Sequence, residues 1–431
     1  VVAQWVDRLR AHAPVHLVID PVLRASTGVR LADPALLQAY RELLLPRASV
    51  ITPNQSEAVA LLGDGAPADI AAQAQALRAR GCAGVIVTGG DAAKPALSSD
   101  WLDTPQAQGW LSLPRVATPH THGTGCTFAS ALAAAIALGW VAADAAILAK
   151  MVTTHALRQA RAVGRGAGPV LASAGFGGDP TLLPQLSVGK QAPPGWVTRP
   201  RGRAPGVYAI VDSAERVEAV LRVWPTVDTI QLRMKRPVGL DDAAWAQQLR
   251  EAMSRSQRAA DAAGVLLVIN DHWQLALQAG ARALHLGQDD LLALAPADHI
   301  QLAAARARGV QLGLSSHSLW ELCRAASLQP DLIACGPIWP TTTKAMPWRP
   351  QGLDNLTWWA HMAPAPVVGI GGVLEAAQLQ GVAATGAAGG CVVRGLGDDP
   401  QHTLSRWLQA WADGVQQRAG QVVPALPHPT L

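Results

Sequence analysis

Short apolar runs recur along this chain, each ending in polar or glycine residues and each followed by a segment of helix length. Between residues 206 and 419 they are Val207–Val211, Thr229–Lys235, Leu266–Ile269, Ala283–Gly287, Gln311–Ser315, Leu332–Pro337, Val367–Gly371 and Gly390–Gly395. A run of this length that alternates with helical segments predicts parallel strands joined by crossover helices. Eight such units predict a (β/α)8 TIM barrel, whose strand ends surround one pocket. An open Rossmann-type sheet is the competitor. The barrel is favoured because no Gly-x-Gly-x-x-Gly follows the first strand, and polar residues collect after most strands rather than at one crossover.

Residues 1–172 carry a weaker version of the same pattern. The runs HLVID (ending at Asp20), VITPNQSE (Val50–Glu57) and VIVTGGD (Val85–Asp91) alternate with Ala/Leu-rich segments at 34–45, 68–80 and 126–163. This predicts a separate open α/β sheet with helices on both faces, a partial domain preceding the barrel. Residues 173–205 are rich in Gly and Pro without apolar periodicity and are expected to be a linker. Residues 420–431 form a C-terminal tail.

Composition narrows the classes. Apolar residues make up 49% of the chain and charged residues 15%, enough apolar surface for two cores and too little charge for disorder. The longest apolar stretch, Ala129–Ala143, falls short of a bilayer span and is interrupted by Gly139. The cysteines (Cys82, Cys126, Cys323, Cys335, Cys391) are odd in number, scattered and without a CxxC, which fits a reducing, cytoplasmic setting. Net charge is +4 with no Lys/Arg block, so neither nucleic acid nor a membrane surface is the expected partner; small molecules are, and a homo-oligomer stays open. Lysine is scarce beside arginine: Lys94, Lys150, Lys190, Lys235 and Lys344 are the whole set. A retained lysine is then a mild pointer to a place that wants a compact ammonium.

The polar residues gather at the predicted strand ends. Gln231, Arg233 and Lys235 alternate along the second strand and share one face, which suits a polyanion. The third strand ends in Asn270-Asp271, and the fourth leads to Gln288 and Asp290. Adjacent parallel strands would let Asp271 and Asp290 converge on a hard cation such as Mg²⁺, although both could equally be ordinary loop acids. Ser315 ends the fifth strand, with His317 beyond it. Thr341, Thr342, Thr343 and Lys344 follow the sixth, Gly371-Gly372 the seventh and Val393-Arg394 the eighth. Cations and two acids around a metal suit a departing pyrophosphate. His285, between apolar neighbours, is expected to be a hydrogen-bonded structural group. In the first half, Gly123-Thr124-Gly125 opens directly into a helix, where exposed amides make an anion site. Cys126 on that first turn is a candidate base; a buried thiol at an ordinary helix start is the alternative.

The set QLRxK, ND, HLGQDD, GPIxPTxTK and GIGG resembles thiamine phosphate synthase, in order and across the whole second half. The resemblance implies that Gln231, Leu232, Arg233, Met234, Lys235, Asn270, Ser315 and Lys344 bind a pyrimidine diphosphate, with Lys344 also catalytic. Asp271 and Asp290 would hold Mg²⁺, and Thr341, Thr342, Thr343, Gly372, Val393 and Arg394 would face a thiazole phosphate. The implied reaction releases pyrophosphate and forms thiamine phosphate. Arg394 stands where many relatives have Ser. Thiazole tautomerases share the barrel and use a His near His317, so an isomerase, which has no need of the acid pair or the QLRxK cations, is the second hypothesis; a non-catalytic precursor sensor is the third, and the intact cation-and-acid set argues against it.

TPNxxE (Thr52–Glu57), VTGGD (Val87–Asp91) and HGTGCTF (His122–Phe128) are similar to the carboxyl-terminal half of hydroxymethylpyrimidine phosphate kinases, within the ribokinase-like family. That similarity implies an anion hole at Gly123, Thr124 and Gly125, Cys126 as catalytic base, and Asn54 and Glu57 ordering Mg²⁺ around ATP. Thr88 departs from the family's Lys. The numbered chain lacks the family's amino-terminal half, so no useful kinase activity is expected from it as it stands.

Overall fold

The computed structural model describes residues 1–24, 31–89, 96–190, 204–223, 227, 229–341, 347–397 and 400–431. Two units divide the chain. The first holds Val1–Val197, Ser318–Ser327 and Leu431; the second holds Thr198–His317 and Leu328–Thr430.

The first unit is built on a six-stranded sheet of order β1-β2-β3-β4-β5-β6. After helix α1 (Val2–Arg10) come β1 (Val18–Ile19), α2 (Pro34–Ala39), β2 (Val50–Ile51), α3 (Gln55–Leu62), α4 (Ile70–Ala79) and β3 (Val85–Val87). These three strands pair in parallel, as the alternation predicts. The sheet then departs from the expectation. Strands β4 (Leu97–Asp103) and β5 (Gln108–Pro114) form an antiparallel hairpin. The reason is the length of the connection: Thr104–Ala107 is too short for a crossover, and Thr104 Oγ1 bonds both the carbonyl and the amide of Ala107 to close the turn. Trp101 and Trp110 face each other across that hairpin, 5.2 Å between ring centroids. Helices α5 (Thr124–Ala137) and α6 (Ala142–Arg158) follow, and β6 (Gln185–Leu186) adds antiparallel to β5. The expected linker therefore begins later than residue 173, because β6 already belongs to this sheet.

One of the retained lysines finds its explanation here. Lys150 Nζ, buried on α6, lies 2.8 Å from Asp100 Oδ2. The other oxygen, Asp100 Oδ1, accepts the Gly89 amide at 2.9 Å. A paired, hydrogen-bonded charge is the form in which an ionic group survives burial.

The second unit is a closed barrel of eight parallel strands, in the order β10-β11-β12-β13-β14-β7-β8-β9. They are β7 (Gly206–Val211), β8 (Thr229–Leu232), β9 (Leu266–Asn270), β10 (Ala283–Leu286), β11 (Gln311–Ser316), β12 (Leu332–Cys335), β13 (Val367–Gly369) and β14 (Gly389–Val392). The helices between and after them are α7 (Ala214–Val223), α8 (Asp242–Ala263), α9 (Trp273–Gln278), α10 (Gln288–Ala293), α11 (Pro296–Ala307), α12 (Leu319–Ser327), α13 (Gly352–Met362), α14 (Ala376–Ala384) and α15 (Pro400–Gln416). Of these, α12 groups with the first unit. Side chains alternate inward and outward along each strand. The inward set includes Tyr208, Ile210, Val268, Ala283, Ala334, Val368 and Cys391, which pack into one cluster. The same alternation sends Gln231, Asn270, His285 and Ser315 inward, because they lie two residues beyond Thr229, Val268, Ala283 and Gly313.

The tail is tied down within this unit. Asn355 Nδ2 donates to the His428 carbonyl at 3.1 Å and Asn355 Oδ1 accepts the His428 amide at 2.7 Å. The Arg349 amide donates to the Thr430 carbonyl at 2.8 Å. No helix among the described residues is long and apolar enough to cross a membrane.

Candidate active site

The carboxyl ends of β8–β11 place the expected residues in sequence around one arc of the barrel. Gln231 is buried on β8, and its Nε2 donates to the Tyr208 hydroxyl at 3.2 Å. The Arg233 amide continues the ladder by donating to the Val211 carbonyl at 2.7 Å, so Arg233 keeps the register of the strand. Lys235 does not: β8 stops at Leu232, and Lys235 is exposed in the loop beyond. The three-residue face read from the sequence is thus two strand positions and a loop lysine. Leu232 is buried and points the other way, while Met234 is half-buried.

Asn270 ends β9 and is buried. Asp271 and His272 follow with φ of 58° and 21°, a region that non-glycine residues rarely occupy. Strain of this kind persists only where the surroundings over-determine it. Here the Asp271 amide donates to the His285 carbonyl at 2.9 Å, which pins the turn to the neighbouring strand. Asp290 sits on the first turn of α10, where its Oδ2 accepts the Gly287 amide at 2.9 Å. The Asp290 charge reaches His272, whose imidazole is held low chiefly by burial, against the raising effects of the Met234 carbonyl and Asp290. The two acids are therefore on adjacent strand ends with Asp290 close to the residue that follows Asp271. Among the described residues no group of three His, Cys, Asp or Glu side chains forms a cation cage. Two carboxylates with the remaining positions left to water and phosphate oxygens are the usual protein share of an Mg²⁺ site, and this donor set fits that ion.

His285 is hydrogen-bonded, as the sequence suggested: its Nε2 lies 3.0 Å from Ser315 Oγ. Burial, helped by the nearby charges of Arg233 and His317, pushes its pKa down to about 4. Ser315 is held through its carbonyl as well, which accepts from Gln288 Nε2 at 2.7 Å. His317 stacks on Trp348, ring centroids 5.6 Å apart. Its carbonyl accepts from Gln351 Nε2 at 2.6 Å.

On the remaining strands the glycine turn Gly371-Gly372 has φ of 96° and 76°. A Cβ on Gly371 would lie 2.8 Å from Pro337, and one on Gly372 would lie 2.6 Å from Trp339. These glycines thus let the turn close against the Pro337–Pro340 segment, where the Trp339 amide donates to the Gly371 carbonyl at 3.1 Å. Thr341 is half-buried at the end of that segment. Thr342, Thr343 and Lys344 lie outside the described residues. Val393 is half-buried, and Arg394 is exposed at the start of a short turn of helix after β14. A cavity of about 240 Å³ opens toward the other end of the barrel, lined by strand-initial residues such as Thr229, Leu266 and Gln311 and reaching inward to Tyr208, His285 and Gly313.

In the first unit the Gly123–Gly125 turn opens α5, with Gly123 at φ 86° as its N-cap. Thr124 Oγ1 donates back to the Thr121 carbonyl at 2.6 Å. Cys126 is exposed on the first turn, and its side chain is hydrogen-bonded to Asp20, whose carboxyl is raised by burial. Asn54 and Glu57 form a reciprocal cap on α3, at 2.9 Å in each direction. Glu57 Oε1 also accepts the Leu23 amide at 3.3 Å. The charges of Asp20 and Glu57 both add to the burial that raises the Tyr40 phenol, which brings these two acids into one neighbourhood.

Comparison with known proteins agrees with this division. Residues 207–396 match the family of thiamine monophosphate synthase, and residues 1–171 match that of phosphomethylpyrimidine kinase. Thiamine-phosphate synthase of Rhizobium etli is 42% identical over 210 residues, covering 48% of this chain and 94% of that protein. The chain belongs to the thiamine-phosphate synthase family. Both halves together are similar to the chloroplastic thiamine biosynthetic bifunctional enzyme TH1 of Arabidopsis thaliana, 31% identical over 398 residues, covering 86% of this chain and 71% of that protein. Thiamine phosphate pyrophosphorylase from Pyrococcus furiosus overlays at a TM-score of 0.41 and 23% identity, over 49% of this chain and 98% of that one.

Three residues of this thiamine-phosphate synthase relative were not singled out as site residues from the sequence. Tyr208 supports Gln231, and its signal was faint: one aromatic at an inward position of the first strand. In the sequence Gln288 is only a neighbour of Asp290, yet it holds the Ser315 peptide. Asp20 was visible as the Asp-Pro end of a strand, but its approach to Cys126 spans 106 positions and no local pattern announces it.

Proposed function

We propose that the barrel joins 4-amino-5-hydroxymethyl-2-methylpyrimidine diphosphate to thiazole phosphate with release of pyrophosphate, giving thiamine phosphate. The observation that carries this is the arc at the ends of β8–β11, where Arg233, Asn270, Asp271, Asp290 and Ser315 follow one another around a single closed sheet. Arg233, Lys235, Asn270 and Ser315 bind and orient the diphosphate. Gln231, braced by Tyr208 below it, meets the pyrimidine ring. Asp271 and Asp290 would hold Mg²⁺, which when bound supplies positive charge to the leaving pyrophosphate. Leaving-group departure makes the pyrimidine methylene carbon electrophilic, and the thiazole nitrogen attacks it. The thiazole phosphate is held by Gly372, Val393, Arg394 and the threonines Thr341, Thr342 and Thr343, and Lys344 is assigned to the diphosphate. The five free cysteines suit a reducing compartment, which we assign as the cytoplasm.

Incubation of the chain with both phosphorylated substrates and Mg²⁺ tests this directly. Equal amounts of thiamine phosphate and pyrophosphate are expected. Folded protein that forms neither product rejects the proposal. In the first unit, the Gly123–Gly125 turn is proposed as a phosphate site with Cys126 beside it as base. Saturable binding of Mg-ATP, lost in Gly125→Val, is expected in calorimetry; no binding, or binding that Gly125→Val leaves intact, removes that site.

A further inference from the structure

His285 lies on β10 directly opposite Gly313 of β11. Gly313 has no side chain there, and a Cβ would stand 2.6 Å from His285 Nδ1. The imidazole therefore lies over position 313 and reaches past it to Ser315 Oγ. Nδ1 is buried and has no hydrogen-bond partner among the described residues. That asymmetry selects the tautomer. A proton on Nδ1 would be a buried donor with no acceptor, which folded proteins rarely tolerate, whereas an unpaired acceptor nitrogen is less disfavoured. A ring protonated on both nitrogens would leave the same orphan donor at Nδ1. The ring is thus neutral with its proton on Nε2, and it donates that proton to Ser315 Oγ. The serine, fixed at its carbonyl by Gln288, then has its own hydroxyl proton turned away from His285.

We propose that His285 is a positioning residue whose Nε2–H holds the Ser315 hydroxyl as a hydrogen-bond donor to the diphosphate, with Gly313 as the vacancy that lets the ring reach it. This rests on the synthase function proposed above, and two measurements separate the two ideas. The first needs no substrate. In the full chain labelled with ¹⁵N at histidine, the His285 ring is expected to show a protonated Nε2 and a bare Nδ1 near neutral pH, with Ser315→Ala moving the Nε2 resonance. A protonated Nδ1 overturns the proposal whatever the enzyme does.

The second measurement is kinetic. His285→Leu is expected to lower kcat about tenfold, the loss of one hydrogen bond made to a developing charge, with KM for the pyrimidine diphosphate within about twofold. His285→Gln, whose amide N–H can stand near the Nε2 position, should recover most of that loss. Gly313→Ala should reproduce the leucine phenotype by displacing the ring. Equal activity in the leucine and glutamine variants, or full kcat in Gly313→Ala, rejects the positioning role. A wild-type chain that makes no thiamine phosphate rejects the synthase function and this kinetic role together, while the ring measurement still judges the tautomer.

Discussion

The two arcs of the barrel differ in what they turn inward. Strands β8–β11 present Gln231, Asn270, His285 and Ser315, whereas β12–β14 and β7 present Ala334, Val368, Cys391 and Ile210. Both arcs belong to one hydrogen-bonded ring of strands, so the difference is not one of backbone. The apolar arc holds its part of the ring by excluding water. The polar arc must satisfy its groups one by one, with Tyr208 on Gln231, Ser315 on His285 Nε2 and Gln288 on the Ser315 peptide, and His285 Nδ1 is left over. Substitutions in the polar arc should therefore cost activity first, and those in the apolar arc stability first.

The largest separation is expected at Asp271. Asp271→Asn keeps the shape and removes the charge, so kcat should fall on the order of a thousandfold with the melting temperature little changed. Activity near the wild-type value would take the metal away from this residue. Across the barrel, Ile210→Ala removes buried methylenes from the apolar cluster and should cost about 3 kcal/mol in urea unfolding, with kcat retained at temperatures where the variant is folded. A kcat loss as large as that of Asp271→Asn would erase the distinction between the arcs.

Acid offers a comparable test of the polar arc alone. His285 is held neutral, with a pKa near 4 against an ordinary value of 6.5. The unfolded chain then binds the extra proton between those two values. This contribution is present above pH 6.5 and is lost as pH falls toward 4, amounting to about 3 kcal/mol when fully lost. Unfolding free energies measured through that window should show the slope in the wild type and a shallower one in His285→Gln. The smallest effect is expected at Arg394, exposed beyond β14, where Arg394→Ser should change KM for thiazole phosphate by less than about threefold, as fits a solvent-screened charge.

Much of this was legible beforehand for a physical reason. A strand buried on both faces needs a nearly continuous apolar run, so the eight barrel strands announced themselves, and the polar residues that end them lie at the carboxyl ends of those strands. Asp271, Asp290 and Ser315 were readable because a parallel crossover always returns to the same edge. The hairpin of β4 and β5 was harder, since its strands carry Ser, Asp and Gln among their apolar residues and only the four-residue turn betrays the antiparallel return. Alternation in the sequence carries on to Lys235, past the point where pairing stops; the Arg233 amide makes the last ladder bond, and sequence alone has no marker for that.

The amino-acid order by itself determined the alternation of strand and helix, the chemical character of the strand ends and the glycines needed at 123, 371 and 372, because these depend on periodicity and local backbone freedom. Only the folded chain decided which side chains meet: His285 over Gly313, Tyr208 under Gln231, Cys126 beside Asp20. Such encounters join residues on different strands and loops, and their geometry follows from register and closure of the sheet, which no local stretch of sequence contains.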